Sequence, residues 1–298
     1  MKNLTALAEK ISQRNMLQKT FLAGVIKDLP PEELEEFERY IGYCLSEGVT
    51  LDYLTECYEL IVNDTMEEQL FFRRHKRYRF SSYNEVGSSV YANPDYMSKY
   101  MYGLALTAFL WPNHILMWRY FLRTIPRSKR GRYLEIGPGH GFYFMNAMRL
   151  TQFDSFEGVD LSSTSVAMTN RIVGSKTFGQ FQNYRIYECD AYTFDFKGGF
   201  DAVVMGEVLE HVEAPGVLLE RIRSLSKPDG YIFVTTCINS PAFDHIFLFK
   251  SVEHLEDIIH EAGLAISDKL ILPYHQTSLE TSMKKTLPVN VAYVLSPV

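Results

Sequence analysis

Three glycines at alternate positions, Gly137, Gly139 and Gly141, limit most strongly how this chain can fold. They lie between a strand-like run that ends at Ile136 and a segment that begins a helix near His140. Because glycine has no Cβ, such a loop turns tightly and lets a ligand approach the backbone. The pattern predicts a strand–loop–helix unit with a nucleotide-like cofactor at its turn.

Two common kinds of glycine loop fit this one poorly. A nucleotide-phosphate loop ends in Gly-Lys-Ser/Thr, which this loop lacks. A dinucleotide-binding loop has its third glycine one position later, where this chain has Phe142. Phe142 therefore disfavours hydride transfer as the chemistry without excluding it.

Two acids follow at the ends of the next predicted strands. Asp160 ends the run 157–160, and Asp190 ends the run 186–190. A carboxylate at the first position can accept both ribose hydroxyls, and the second can accept from an exocyclic adenine amine. One strand-end aspartate is often only a turn former or a helix cap. Two of them after a Gly-x-Gly-x-Gly loop favour a cofactor site.

The pattern of elements changes near residue 130. Before it the chain is helical, and the first helix is marked by apolar residues at helical spacing, Leu4, Leu7, Ile11 and Leu17. Pro112 breaks a later apolar segment into a helix pair. Beyond residue 130, short β-branched runs alternate with helical stretches, as in a mostly parallel sheet covered on both faces. The last strand, 290–296, has no helix after it, so we expect it to enter antiparallel.

Five blocks occur in order along the second part of the chain: residues 134–141, 158–160, 189–191, 200–204 and 225–230. Together they resemble the class I S-adenosylmethionine-dependent methyltransferases. The resemblance implies an α/β, Rossmann-like, doubly wound, seven-stranded sheet with one antiparallel strand near the C-terminus. Residues 131–298 would be the cofactor-binding catalytic domain. Residues 1–130, which resemble no family, would be an α-helical lid or substrate domain.

The resemblance also implies roles for individual residues. Gly137 and Gly139 would approach the methionine part of S-adenosylmethionine. Asp160 would bind the ribose, and Asp190 with Ala191 would bind the adenine. The full expected set of cofactor-binding residues is Glu135, Gly137, Pro138, Gly139, Gly141, Asp160, Leu161, Asp190, Ala191, Gly206 and Glu207.

The fourth predicted strand runs into a Glu-x-x-Glu-His motif. If a helix begins there, the i, i+3, i+4 spacing puts Glu207, Glu210 and His211 on one turn. His245 follows the fifth strand, at the same sheet edge. The motif resembles that of ubiquinone-pathway O-methyltransferases and of small-RNA 2′-O-methyltransferases. That resemblance implies a divalent metal (Mg²⁺, Mn²⁺, Fe²⁺ or Zn²⁺) on these four side chains. The open alternative is a metal-free site in which His211 or His245 is the general base.

The molecule that accepts the methyl group must be enclosed by residues outside the sheet. The helical part of the chain is rich in aromatic residues that could do this: Tyr91, Tyr96, Tyr100, Tyr102, Trp111 and Trp118. Most aromatics at helical spacing are ordinary core. We single out Tyr100, Tyr102 and Phe243 as substrate contacts. A basic run at 73–79 either grips an anionic group or pairs with nearby acids such as Glu68, the commoner outcome.

These features predict a methyltransferase that acts on the oxygen of a phenolic, catecholic or carrier-bound metabolite in biosynthesis. Alternatives left open are RNA 2′-O-methylation, N- or C-methylation of a small molecule, and a non-catalytic cofactor-binding subunit. A net charge of −6 disfavours nucleic acid as a partner. Four cysteines without a CxxC and no clear membrane or signal segment indicate a cytoplasmic protein. The expected partner is a small molecule, either free or bound to a carrier protein. The sequence is also compatible with a homodimer.

Overall fold

A seven-stranded sheet forms the centre of the computed structural model, which describes residues 1–87 and 93–298. The strands are β1 (Arg132–Ile136), β2 (Ser155–Asp160), β3 (Tyr184–Glu188), β4 (Phe200–Gly206), β5 (Ser226–Ile238), β6 (Leu264–Leu272) and β7 (Val289–Pro297). Their order is β3-β2-β1-β4-β5-β7-β6. The first five strands pair in parallel, and β7 runs antiparallel to both β5 and β6. The predicted fold class is confirmed, including the reversed C-terminal strand.

The described residues before the sheet form seven helices: α1 (Lys2–Arg14), α2 (Met16–Asp28), α3 (Pro31–Ser46), α4 (Leu51–His75), α5 (Tyr83–Gly87), α6 (Pro94–Leu110) and α7 (Pro112–Thr124). The break at Pro112 confirms the predicted helix pair. The first helix was predicted to continue through Leu17, which is wrong. Asn15 separates α1 from α2 because its side chain caps α2, accepting a hydrogen bond from the Leu17 backbone N–H at 3.1 Å.

Helices cover both faces of the sheet. The remaining ones are α8 (Phe142–Leu150), α9 (Ser163–Gly174), α10 (Pro215–Leu225), α11 (Val252–Glu261) and α12 (Leu279–Lys284). Successive strand residues point to opposite faces, so Val203 packs with α10 and α11 while Val204 packs with α8 and α9. Buried side chains of α1, α3, α4, α6 and α7 join the cluster around Val204. The N-terminal helices therefore have a core in common with one face of the sheet.

The strand order reverses between β1 and β4, which lie side by side at the middle of the sheet. In an open parallel sheet, a crevice forms at this point, outside the carboxyl ends of the strands. The glycine loop leaves β1 there, Glu207 follows β4, and Asp160 is the last residue of β2. The fold thus brings the predicted cofactor and metal residues to one edge.

Candidate active site

One cavity of about 620 Å³ lies at the carboxyl ends of β1, β2 and β4. The glycine loop and the strand ends form one wall, and α6 and α7 form the opposite wall. Most of the predicted site residues line it, namely Glu135, Gly137, Pro138, Gly139, Asp160, Leu161, Asp190, Ala191, Gly206, Glu207, Glu210, His211, His245, Tyr100 and Phe243. Gly141 and Tyr102 do not.

The glycine loop has the conformation that its sequence predicts. Gly137, Gly139 and Gly141 have φ values of +67°, +55° and +83°, in the left-handed region that favours glycine. A Cβ on Gly137 would lie 2.7 Å from Val208 Cγ2, so a larger residue there would displace the segment after β4. Gly141 packs instead against α9, where a Cβ would lie 2.7 Å from Ile172 Cγ2. Its contribution is to hold the loop against that helix.

The acid at the end of β2 is tied to the glycine loop. Asp160 Oδ2 accepts from the Gly139 backbone N–H at 3.2 Å, and Oδ1 accepts from that of Ser162 at 2.9 Å. Burial raises the pKa of Asp160 to about 6, because the cavity removes water from the carboxylate. Asp190, two residues beyond β3, accepts from the Tyr192 backbone N–H at 2.9 Å. Both acids lie where a nucleoside could contact them.

Glu135 lies at the floor of the cavity, 2% exposed, and accepts a hydrogen bond from the Tyr133 hydroxyl. Burial raises its pKa to about 8, so the folded protein holds a proton there that the unfolded chain releases near pH 4.5. Its contribution to stability is complete below that pH and is lost as the pH rises through 8. We expect Glu135→Gln, which stays neutral, to gain about 3 kcal/mol relative to wild type between pH 5 and pH 8.

Denaturant unfolding of the cofactor-free protein at several pH values measures this difference. The matched control is Glu280→Gln, an exposed acid at the start of α12. If the difference in unfolding free energy between Glu135→Gln and wild type does not change with pH, the raised pKa assigned to Glu135 is contradicted.

The Glu-x-x-Glu-His segment does not begin an α-helix, which was the condition for its three side chains to share one helical turn. Glu207 is left-handed, with φ +53°, because its backbone N–H bonds to Thr235 O on β5 at 3.0 Å. A single 3₁₀ turn, Leu209–His211, follows. Glu207 and Glu210 are therefore not carried on one helix face, although both line the cavity.

The two carboxyl groups lie in surroundings that penalise charge. Glu210 is fully buried and accepts from the Thr236 hydroxyl at 2.7 Å. Burial, reinforced by the neighbouring Glu207, raises the pKa of Glu210 well above its ordinary value, and burial also raises that of Glu207. Among the described residues, Glu207 Oε1 is buried without a hydrogen-bond partner. Such a pair persists by holding a proton or by binding a cation.

The two predicted histidines meet beside Glu210. The rings of His211 and His245 pack edge to face, with centroids 4.7 Å apart. Their Nδ1 atoms face backbone carbonyls: Asp244 O at 3.1 Å for His211, and Ser240 O at 2.7 Å for His245. A carbonyl only accepts, so each Nδ1 carries a proton and each Nε2 is the basic nitrogen when the ring is neutral. Burial lowers the pKa of His245 to about 4, which keeps it neutral at pH 7.

Asp244, which the sequence analysis did not single out, connects this cluster to the N-terminal helices. It is 2% exposed, and its Oδ2 lies 3.3 Å from His211 Nδ1. Its Oδ1 accepts a hydrogen bond of 2.9 Å from the hydroxyl of Tyr100 on α6. The only sequence signal for Asp244 is its place next to His245. The contact explains why Tyr100 lies in the cavity.

Within the described residues, two groups of side chains have metal-ligating atoms within 4.8 Å of one another. One is Glu210, Cys237 and His245, and the other is His211, Asp244 and His245. The predicted ligand set is thus brought together in part: Glu207 belongs to neither group. Cys237 was missed because a single buried thiol in a strand looks like core.

The aromatic residues of the helical part divide between cavity and core. Trp111 and Trp118 line the cavity, as does Phe243, whose ring also packs against that of Tyr96. Tyr102 lies on another face of α6 from Tyr100 and packs against Tyr53, so its predicted substrate contact has no support in this geometry. Tyr91 lies outside the described residues.

The basic run at 73–79 is partly internal. Arg79 Nε lies 2.7 Å from Oε1 of the buried Glu68, and its guanidinium covers the Phe71 ring at 4.6 Å. Arg73 and Arg74 are exposed at the end of α4. The interpretation of the run as a partner of nearby acids is confirmed for Arg79.

A family profile described as a methyltransferase domain matches residues 115–285, more than half of the chain. The chain belongs to this methyltransferase family. The match begins in α7 and includes every residue of the Glu210 cluster. The enzyme is thus an S-adenosylmethionine-dependent methyltransferase of class I, as predicted.

Among the proteins similar to this methyltransferase, two bacterial ones carry the name ubiquinone biosynthesis O-methyltransferase. That of Xanthomonas axonopodis pv. citri is 30% identical over 186 residues, which cover 56% of this chain and 76% of the relative. That of Paraburkholderia xenovorans is 27% identical over 126 residues, 42% of this chain and 52% of the relative. A cyclopropane synthase from Mycobacterium tuberculosis matches in fold, with a TM-score of 0.50 and 14% identity over 63% of this chain and 85% of its own.

In the described part of the methyltransferase, every helix is too short or too polar to cross a membrane.

Proposed function

We propose that this methyltransferase transfers a methyl group to a hydroxyl oxygen of a small aromatic acceptor, such as a phenol or a catechol. The observation that carries the proposal is how His211 is held in the cavity. Asp244 fixes its Nδ1–H, which leaves the basic Nε2 to take the proton of an acceptor hydroxyl. The two relatives named ubiquinone biosynthesis O-methyltransferase support oxygen as the acceptor atom.

In this proposal S-adenosylmethionine lies along the carboxyl ends of β1, β2 and β4. The left-handed glycines at 137 and 139 leave room for its methionine part. Asp160 takes the ribose hydroxyls, and Asp190 with Ala191 contacts the adenine beside Leu161. Glu135 and Pro138 shape the floor, while Gly206 and Glu207 close the end next to the transferred methyl group.

The helices of residues 1–130 cover the acceptor in this proposal, and residues 131–298 bind the cofactor. Tyr100 and Phe243 supply aromatic walls suited to a flat acceptor. RNA 2′-O-methylation has less support, because Arg79 of the main basic run is engaged by Glu68. RNA binding with a steep salt dependence would revive it.

A divalent cation is a second part of the proposal. Glu210, His245 and Cys237 would hold it, with His211 adjacent. The residues fit because neither the buried Glu210 nor Glu207 has a lysine or arginine partner in the described chain. Each imidazole also has its Nδ1–H fixed by a carbonyl, as metal-ligating histidines commonly do. When bound, such an ion lowers the pKa of a hydroxyl group attached to it.

Methyl transfer to a panel of phenols and catechols tests both parts. We expect chelator-treated, dialysed enzyme to turn over about 100-fold more slowly than the same enzyme resupplied with Mg²⁺, Mn²⁺, Fe²⁺ or Zn²⁺. S-adenosylhomocysteine release and the mass of the methyl ether report the reaction. Cofactor affinity, measured by calorimetry, should not change on chelation.

The outcomes separate the two parts. Full activity in chelator would rule out the proposed cation and leave His211 alone as the proposed general base. The absence of a methyl ether from every phenol and catechol contradicts the proposed function itself.

A further inference from the structure

Asp244, the aspartate that faces the proposed base His211, lies in a turn after β5. Its backbone O is 3.1 Å from His211 Nδ1, and its Oδ2 is 3.3 Å from the same atom. The backbone N–H groups of Ile246 and Phe247 donate to Glu210 O at 2.9 and 3.0 Å, which fixes the main chain just after the turn. These bonds do not set the rotation of the Asp244 side chain about its Cα–Cβ bond. A contact to the carboxylate itself is needed to keep Oδ2 on His211.

Tyr100, on the opposite wall of the cavity, makes such a contact. Its hydroxyl donates to Asp244 Oδ1 at 2.9 Å, while Oδ2 is the oxygen that faces His211. A carboxylate that is held at both oxygens keeps one orientation. Both Tyr100 and Asp244 are buried, so water competes little for this hydrogen bond. The hydroxyl of Tyr100 therefore bears on the orientation of His211 although it does not touch that ring.

Helix α6, which carries Tyr100, is itself closely packed on two sides. A Cβ on Gly103 would lie 2.5 Å from Cys57 O on α4, so the backbones of the two helices are in direct contact. A Cβ on Gly139 would lie 3.3 Å from Met101 Sδ, so α6 also packs against the glycine loop. These contacts place α6 as a fixed support for the Tyr100 hydroxyl.

Tyr96, one helical turn before Tyr100, makes a similar hydrogen bond to a different aspartate. The rings of the two tyrosines stack, with centroids 5.9 Å apart and 17° between their planes. The Tyr96 hydroxyl donates to Oδ2 of Asp64, on α4, at 2.6 Å. The two hydroxyl groups thus have comparable partners, but only that of Tyr100 reaches the aspartate that faces His211.

We propose that Tyr100 is a positioning residue for the methyl transfer: its hydroxyl holds Asp244, and Asp244 holds His211 in the orientation in which Nε2 can take the acceptor proton. This inference rests on the proposed O-methylation with His211 as the base. The N-terminal helices then complete the catalytic apparatus and do more than cover the acceptor. A base that is slightly misdirected removes a proton more slowly even though the acceptor is still bound.

Tyr100→Phe tests the proposal, because it removes the hydroxyl and keeps the ring. We expect kcat on the best catechol of the panel to fall about tenfold, while KM for the catechol and affinity for S-adenosylmethionine stay within about twofold. Tyr96→Phe is the matched control: it removes the same group one turn away and should keep kcat within about twofold. Single-turnover methyl transfer and calorimetry measure these quantities. Denaturant unfolding of both variants checks that they lose similar stability.

A double-mutant cycle shows whether Tyr100 acts through Asp244. In an Asp244→Ala background the carboxylate is absent, so adding Tyr100→Phe should change kcat by less than about twofold. If Asp244→Ala does not fold, Asp244→Asn is the background. The effect of Tyr100→Phe should then fall from about tenfold to about threefold, because a neutral amide oxygen is a weaker acceptor than a carboxylate.

Four results would overturn the inference. The first is a Tyr100→Phe enzyme with wild-type kcat, and the second is an equal loss of kcat in Tyr96→Phe, which would assign the effect to general packing of α6. The third is a tenfold loss that persists without the Asp244 carboxylate. The fourth is a raised KM with unchanged kcat, which would make Tyr100 a direct contact of the acceptor. Wild type that forms no methyl ether from any phenol or catechol refutes the proposed function instead.

Discussion

Replacing His211 with glutamine is expected to lower kcat about 1,000-fold on the best catechol of the panel. The imidazole is the group in the cluster whose Nε2 can remove the acceptor proton as the methyl group is transferred, and general-base contributions are commonly of this size. Glutamine keeps a polar side chain of similar length but cannot take up a proton near pH 7. Because His211 is not among the proposed cofactor contacts, affinity for S-adenosylmethionine should stay within about twofold. Single-turnover methyl transfer and calorimetry measure the two quantities.

The matched control is His275→Gln, the same change at an exposed imidazole after β6, which should leave turnover unaltered. Asp244→Asn should give an intermediate loss of about tenfold, because an amide keeps one oxygen for His211 or Tyr100 but no charge. A His211→Gln enzyme with wild-type turnover would show that another group removes the proton.

The fold and the cofactor edge of this methyltransferase could be predicted because both depend on local signals. Gly137, Gly139 and Gly141 need left-handed backbone, and strand-end acids such as Asp160 need only the rule that parallel strands end at one edge. Neither inference requires knowledge of how distant segments pack.

The part of the cavity proposed to bind the methyl acceptor could not be predicted in the same detail, because its contacts join segments that are far apart in the sequence. Tyr100 and Asp244 are 144 positions apart and meet only because α6 docks over the sheet edge. The side-chain spacing of the Glu-x-x-Glu-His motif suggested a helix, but the Glu207 N–H bonds to β5 and turns the backbone left-handed. Glu207 consequently lies outside both ligand groups, and Cys237, a residue with an ordinary core pattern, lies in one.

Replacing Asp160 with asparagine is expected to weaken S-adenosylmethionine binding about 100-fold. In the proposed cofactor position its carboxylate accepts both ribose hydroxyls, and asparagine can accept only one of them. Hydrogen bonds to a charged group contribute roughly 1.5–3 kcal/mol each, and each 1.4 kcal/mol is a factor of ten in affinity. The amide would also point a donor at either Gly139 N–H or Ser162 N–H, which now bond to the two carboxylate oxygens.

The pH dependence distinguishes lost cofactor contact from a disturbed loop. Burial puts the pKa of Asp160 at about 6 in the cofactor-free enzyme, and the proposed binding mode needs the ionised form. Wild-type affinity should therefore fall below pH 6, by about tenfold at pH 5, because the carboxylate must lose a proton before it can accept from the ribose. The asparagine variant has no such group, so this part of its pH dependence should disappear, whereas Asp195→Asn, an exposed control, should behave like wild type. Calorimetric titration between pH 5 and 8 measures all three proteins. An asparagine variant whose affinity still falls tenfold below pH 6 would show that another group controls cofactor binding.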